Sequence, residues 1–286
     1  MSHIGIEILT GIAVLIGAFI AGGLISGLDR KISAHMQGRK GPPVIQPFYD
    51  VIKLLGKQRF AVNIMQDIYA AGFLIFTAAA VVLLFTGSDL LMIVFVMAFG
   101  SVSLIMGAMS VRSPYSRIGG QREIIQLMAA EPVIILMAVG VYLVNGSFMV
   151  KAIMTKSSPL IASMPLSLIA LLVVLTIKLR KSPFDFSTSH HGHQELIKGL
   201  TMEFSGFQLA TIEIGEWLET VLLLGLVGLF WANPIYIGVI IAVVAYLLEI
   251  IIDNISARTT WSWMLKVVAV LGFGLSTINL IYLYLR

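Results

Sequence analysis

Hydrophobic residues in this chain come in long, nearly unbroken runs, and the polar residues gather in the gaps between them. A run of about 20 apolar residues is long enough to cross a hydrocarbon core of about 30 Å as an α-helix. Such runs fall at 4–28, 68–87, 90–110, 124–144, 160–179, 205–231, 234–253 and 264–285. The pattern predicts an all-α, polytopic membrane protein with about eight transmembrane helices. The residues left over are too scattered to bury a separate core, so one integral membrane domain is expected over 1–286. The first run has no basic flank before it and no small-residue cleavage site after it. It is expected to remain as a span and not to be removed as a leader.

The first long gap breaks the pattern in an informative way. After Gly41-Pro42-Pro43, a rigid turn, Phe48, Val51, Ile52 and Leu55 recur at helical spacing and leave Asp50, Lys53 and Lys57 on another face. That periodicity predicts a short amphipathic helix over 48–58, lying at the membrane surface. It serves either as an interfacial anchor or as a docking platform for a soluble partner.

Composition agrees with a membrane setting: 58% of residues are hydrophobic and 12% charged, with a mean hydropathy of +0.96. Charge placement adds an orientation. Every Lys and Arg except Lys151, Lys156 and Arg286 falls in 29–67, 111–123, 178–204 or 254–266, the gaps on one side of the membrane. The positive-inside rule makes those four loops cytoplasmic and puts both termini on the outer side. The net charge of +4 then describes a basic inner surface for anionic lipid or an acidic partner, with nucleic acid a poor fit. Cysteine is absent, which removes iron–sulfur clusters, thiolate zinc sites, disulfides and a cysteine nucleophile from this chain. No phosphate-binding glycine loop or dinucleotide fingerprint is present either.

Carboxylates inside the apolar runs carry the candidate chemistry. A charged side chain at the bilayer centre costs roughly 2.5 to 3.5 kcal/mol on insertion scales, so acids there usually line a polar path or an ion site. Glu213, Glu216 and Glu219 are three apart, drift by only about 60° per step and share one side of a helix. They form either part of a proton or cation path or the wall of a wet crevice. Glu131 precedes Pro132, where a proline inside a helix removes a hydrogen bond and can open a kink. The kink gives Glu131 polar company inside the span, or else turns it to solvent near the interface. Glu249 and Asp253, four apart near the end of the seventh run, read equally as helix-end charges or as further members of a path. In the loop from Arg180, His190, His191 and His193 invite a metal reading. Without cysteine or regular ligand spacing, however, a pH-responsive or partner-facing loop is expected, and no metal site.

These residues carry a family resemblance over nearly the full chain. Asp29-Arg30-Lys31 to Lys53, Ser113-Pro114-Tyr115-Ser116 to Arg122-Glu123, Glu131-Pro132, Pro183-Phe184-Asp185, Glu195 to Gly199, and Glu203-Phe204-Ser205-Gly206 stand in the order found in one family. That family is the membrane subunit shared by respiratory complex I, where it is the first membrane subunit, and the membrane-bound energy-converting nickel-iron hydrogenases. The complex I members follow Pro-Phe-Asp with an acidic Glu-Ala-Glu stretch. Here Ser187 to Gln194, with three histidines, stands before Glu195, and this version resembles the membrane subunit of Ech-type hydrogenases.

The resemblance implies a membrane anchor and ion-coupling subunit that holds no redox centre. It would lie beneath an arm of partner chains: the hydrogenase large and small subunits and an iron–sulfur subunit, with an antiporter-like membrane subunit alongside. Those partners would carry the iron–sulfur clusters and the nickel-iron centre, and pass electrons from ferredoxin to protons. It also implies Glu131, Asp185, Glu195, Glu203, Glu213 and Glu216 as proton-path residues. Arg30, Lys31, Arg39, Arg117 and Arg122, with the three histidines, are implied partner-contact or coupling-loop residues. Two alternatives are a quinone-site subunit, with a chamber between the first span and the amphipathic helix, and an inert structural anchor.

Overall fold

In the computed structural model, the residues described are 3–58, 63–156, 158–184 and 199–285. Among them the chain is helical and contains no strand beyond one isolated bridge between Asp89 and Met149. The helices in chain order are α1 (His3–Met36), α2 (Gln46–Leu55), α3 (Ile64–Thr86), α4 (Leu90–Met109), α5 (Pro114–Asn145), α6 (Val150–Thr155) and α7 (Leu160–Ser163). They continue with α8 (Pro165–Lys178), α9 (Phe207–Gly228), α10 (Ile235–Ile255), α11 (Trp261–Val267) and α12 (Leu275–Leu285). A π-helical stretch, Val268–Gly274, joins α11 to α12 into one long rod. Seven of the described helical rods are long and apolar enough to cross a membrane, so the protein is a multi-pass, all-α membrane protein.

The run expected as a single span over 160–179 differs. It is broken at Met164 into one turn, α7, and the 14-residue α8, whose length of about 21 Å is short of a bilayer core. The break coincides with Pro165, which opens a helix well and in a helix interior would remove a backbone hydrogen bond. At the other end of the chain, α1 runs on through Asp29, Arg30 and Lys31 to Met36, so the beginning of the expected first loop is helical.

Helix boundaries follow local chemistry. Asn63 caps α3, its side-chain oxygen accepting from Met65 N at 3.1 Å, and Asp89 caps α4 through Leu91 N and Met92 N at 2.8 and 3.1 Å. Gly87 and Gly146 follow α3 and α5 with φ of 83° and 71°, the left-handed conformation that stops a helix at little cost in glycine.

The chain forms two compact units. The first takes 1–86, 96–124 and 187–221, and the second 87–95, 125–186 and 222–286. In the first, α1 packs on α2 and α3, and a buried cluster of Ala70, Phe73, Leu104, Ala108, Leu200, Phe204 and Ile212 fills the centre. Small residues set the approach of the backbones. A Cβ at Gly22 would fall 2.6 Å from the Trp217 carbonyl oxygen, and one at Gly27 would collide with the carbonyl of Val44. In the second unit α8 packs against α12 and the π-helical stretch, and the turn Leu229–Trp231 packs against α10.

The amphipathic helix appears as α2, starting two residues earlier than its periodicity predicts. Phe48 and Val51 face inward, and Ile52 and Leu55 stay exposed. Phe48 meets Phe19 and Trp217 with ring centroids 5.7 and 5.2 Å apart, and Phe19 meets Trp217 at 5.5 Å. Half of the apolar face thus docks α2 on the protein and the other half is left for the interface.

Candidate functional site

In the first unit, α9 brings the acid stripe into being. Glu213 and Glu216 are half-buried and Glu219 is buried, each engaged by neighbouring groups. One helical turn earlier, Gln208 Nε2 donates to Asp67 Oδ1 at 2.8 Å. Gln66 Nε2 donates to the Glu203 carbonyl at 3.4 Å, and the Glu203 side chain is half-exposed. Glu203, Glu213 and Glu216 therefore lie in one unit, at the start of α9 and along it.

The basic candidates of this unit are exposed. Arg30 Nη1 contacts Asp50 Oδ2 at 2.6 Å, with both side chains 40% exposed. Arg39 donates to Gln37 Oε1. The Lys31 carbonyl is hydrogen-bonded to His35 Nδ1 at 2.8 Å, and Arg117 and Arg122 lie on the exposed start of α5. Cations so placed are available to a partner or to anionic lipid.

The second unit holds Glu131, and here a lysine that the sequence assigns to a loop reaches an acid within a span. α5 runs unbroken through Pro132, and Glu131 Oε1 contacts Lys178 Nζ at 2.6 Å, with side-chain exposures of 13% and 7%. Lys178 is the last residue of α8, inside the helix and not in the loop 178–204 that the sequence assigns it to. Glu131 also floors an open apolar recess of about 530 Å³, walled by Leu127, Ile135, Leu136 and Phe273. Interactions between charges gain strength where water is displaced.

A second set of charged residues surrounds the turn that follows α8. Arg180 has φ 53°, Arg180 N donates to the Ile177 carbonyl and Lys181 N to the Thr176 carbonyl, at 3.0 and 3.1 Å. This is the paired closure of a Schellman turn, with an arginine in the left-handed position usually held by glycine. The turn reverses the chain and carries Lys181 inward. Lys181 is 7% exposed, and its Nζ lies 4.7 Å from the centroid of the Tyr246 ring, a cation–π contact.

Around Lys181 the α10 helix places two carboxylates, one turn apart. Glu249 is 2% exposed; the Thr176 hydroxyl hydrogen-bonds its carboxylate, and Lys181 and Asp253 are its neighbouring charges. Asp253 Oδ1 accepts from Ser182 N at 2.8 Å. Beyond it, the Pro183 carbonyl accepts from Thr259 N and Oγ1 at 3.1 and 3.0 Å, and the Phe184 carbonyl accepts from Gln126 Nε2 at 2.7 Å. Ser182, Pro183 and Phe184 are thus tied to α10, to the segment after it and to α5.

Asp185, His190, His191, His193 and Glu195 lie outside the described residues. Among those described, no group of three or more His, Asp or Glu is disposed to hold a metal. The sequence left Glu249 and Asp253 equally as helix-end charges or as members of a path, and placed Lys178 and Lys181 in the loop 178–204. The usable signals were the spacing of three between the lysines and of four between Glu249 and Asp253.

Comparison with known proteins extends over most of the chain. A family model described as NADH dehydrogenase matches residues 9–284. Among curated relatives, an NADH-quinone oxidoreductase subunit of Anoxybacillus flavithermus is 26% identical over 245 residues, 75% of this chain and 72% of that one. Hydrogenase-4 component C of Escherichia coli is 29% identical over 226 residues, 72% of this chain and 70% of its own. Among solved structures, a chain of the membrane-bound sulfane sulfur reductase, an archaeal respiratory membrane complex, superposes with a TM-score of 0.87. It is 22% identical, and the match covers 97% of this chain and 99% of that one; at that identity the likeness speaks for the fold.

Proposed function

This chain belongs to the NADH dehydrogenase family, as a membrane subunit of complex I-like and hydrogenase-type energy-converting complexes. From that premise we propose that it is the membrane-anchor and ion-coupling subunit of a ferredoxin-dependent, hydrogen-evolving nickel-iron hydrogenase of the Ech type. Its task is to link electron transfer in a peripheral arm to movement of protons or sodium ions across the membrane. The observation that carries the reading is the row Glu213, Glu216 and Glu219 within a membrane-length apolar helix, in a chain with no cysteine to hold a redox cluster.

In this reading the arm consists of the hydrogenase large and small subunits and an iron–sulfur subunit, which hold the nickel-iron centre and the clusters. An antiporter-like membrane subunit lies beside this chain in the bilayer. The arm docks on the cytoplasmic side, where the exposed Arg30, Lys31, Arg39, Arg117 and Arg122 meet it, and both termini lie outside, with α7 and α8 together making an eighth crossing. Glu131, Glu203, Glu213 and Glu216, with Asp185 and Glu195 of the loop, carry the ion, and His190, His191 and His193 answer to the arm. A redox step in the arm shifts the loop, and the loop changes the charge balance of these acids.

The histidine-bearing sequence before Glu195 favours the hydrogenase branch over a quinone site. The packing of Phe48 against Phe19 and Trp217 supports the same choice, because side chains fill the space between α1 and α2 at that level. The test is purification through this subunit in mild detergent, with mass spectrometry of the chains that accompany it and a hydrogen-evolution assay with reduced ferredoxin. Nickel-iron and iron–sulfur partners with ferredoxin-dependent hydrogen production are expected. Dehydrogenase partners reducing a quinone would replace this reading with the complex I branch, and no partners at all would end both.

A further inference from the structure

Glu249 is not among the acids assigned to ion movement above, yet it is among the most deeply buried carboxylates described, at 2% exposure. Only one of its oxygens is satisfied: Oε2 is buried and has no hydrogen-bond partner among the described residues. A buried acceptor left without a donor is destabilising, and a purely structural acid would be expected to avoid it. The groups that face it are the Thr176 hydroxyl and the Lys181 ammonium from the end of α8, and Asp253 from its own helix, with Tyr246 closing over Lys181.

We propose that Glu249, with Lys181 and Asp253, forms a buried proton-transfer site at the base of the loop that follows α8. It rests on the ion-coupling reading given above and adds residues to it. The elementary step moves one proton and no electrons. The Lys181 ammonium releases a proton, the Glu249 carboxylate takes it up at the vacant Oε2, and a charged pair becomes a neutral amine and a neutral carboxylic acid. The pair carries no net charge before or after the step, so the step does not place an uncompensated charge in the interior.

The site also has a mechanical connection. Asp253, one turn from Glu249, holds the backbone N–H of Ser182, the residue after Lys181, and Pro183 and Phe184 are tied down next to it. A change of charge on Glu249 and Lys181 is therefore applied directly where the loop begins. Conversely, a shift of Ser182, Pro183 and Phe184 acts on Lys181, their neighbour in the chain. This gives the loop a route to a proton that does not depend on the acid stripe of α9.

The experiment uses the intact complex in sealed vesicles and records ion movement per electron, together with electron transfer measured with the vesicles made leaky. Glu249→Gln is expected to keep electron transfer in leaky vesicles and lose ion movement. Lys181→Arg keeps the positive charge but cannot release its proton, so it is expected to assemble and show the same loss. Lys181→Arg is the variant that decides should Glu249→Gln fail to assemble. Infrared difference spectra of the wild-type complex between oxidised and reduced states are expected to show a carboxylic-acid band that disappears in Glu249→Gln. Wild-type ion movement per electron in Lys181→Arg or Glu249→Gln would overturn the proposal. If the wild-type complex itself moves no ion, the ion-coupling reading fails, and the infrared band still decides whether Glu249 gains and loses a proton.

Discussion

Two ion pairs of equal length allow burial to be separated from geometry. Lys178–Glu131 and Arg30–Asp50 both close at 2.6 Å, but the first pair is 7% and 13% exposed and the second 40% and 40%. Removing one partner of a buried pair strands an uncompensated charge and costs about 3–5 kcal/mol. An exposed pair contributes about 0–1 kcal/mol, because water and salt screen it. Lys178→Met is therefore expected to destabilise the subunit by about 3–5 kcal/mol, and Arg30→Met by less than about 1 kcal/mol. The double change Lys178→Met with Glu131→Leu is expected to recover most of the loss. Glu131 sits among Leu127, Ile135 and Leu136, which can pack against a leucine, and buried pairs replaced by apolar residues are often no less stable than the pair. The assay is thermal unfolding of the purified complex in one mild detergent, completed as a double-mutant cycle. Equal losses for Lys178→Met and Arg30→Met, or a double variant no better than Lys178→Met alone, would refute the assignment of Lys178 as the buried counter-charge of Glu131.

Other expectations follow from single contacts. Gly27→Ala puts a methyl group onto the Val44 carbonyl, which is backbone and cannot rotate away. A loss of about 1–3 kcal/mol is expected, read as a lower yield of assembled subunit and a lower unfolding temperature. Trp217→Ala removes the ring shared by Phe19 and Phe48, at a cost of about 3–5 kcal/mol, and is expected to expose residues 56–58, which follow α2, to limited proteolysis. Glu213→Gln and Glu216→Gln are expected to lower ion movement per electron while hydrogen production continues. Unchanged coupling in both would remove the α9 stripe from the path.

The spans were legible because a bilayer demands one thing of each, about 20 apolar residues in a row, and the sequence supplies it without relying on tertiary contacts. The amphipathic helix was legible for a related reason, since Phe48, Val51, Ile52 and Leu55 repeat at the helical period whatever they touch. That Phe48 and Val51 would dock on Trp217 while Ile52 stayed exposed depends on α1, and no local signal contains it. The short α8 shows the opposite case. Its apolar run was long enough, but Pro165 lies inside it, and a count of hydrophobic residues gives a proline too little weight as a breaker.

The charged site was less legible, and the reason lies in lysine itself. Hydropathy places a lysine at a span's end in the loop, yet its long stem can carry the ammonium back along apolar surface, and Lys178 uses that reach to meet Glu131. Lys181 is brought inward by a different device, a helix-ending turn with Arg180 in the left-handed conformation. Sequence rules look for glycine or asparagine there, so an arginine gave no warning of a reversal. Once the reversal is known, the rest follows from spacing. Glu249 and Asp253 sit on one face of α10, Lys181 and Ser182 are adjacent, Lys181 is a neighbouring charge of Glu249, and Asp253 accepts from the backbone of Ser182. Glu249, Lys181 and the tethered backbone of Ser182 are then parts of one arrangement.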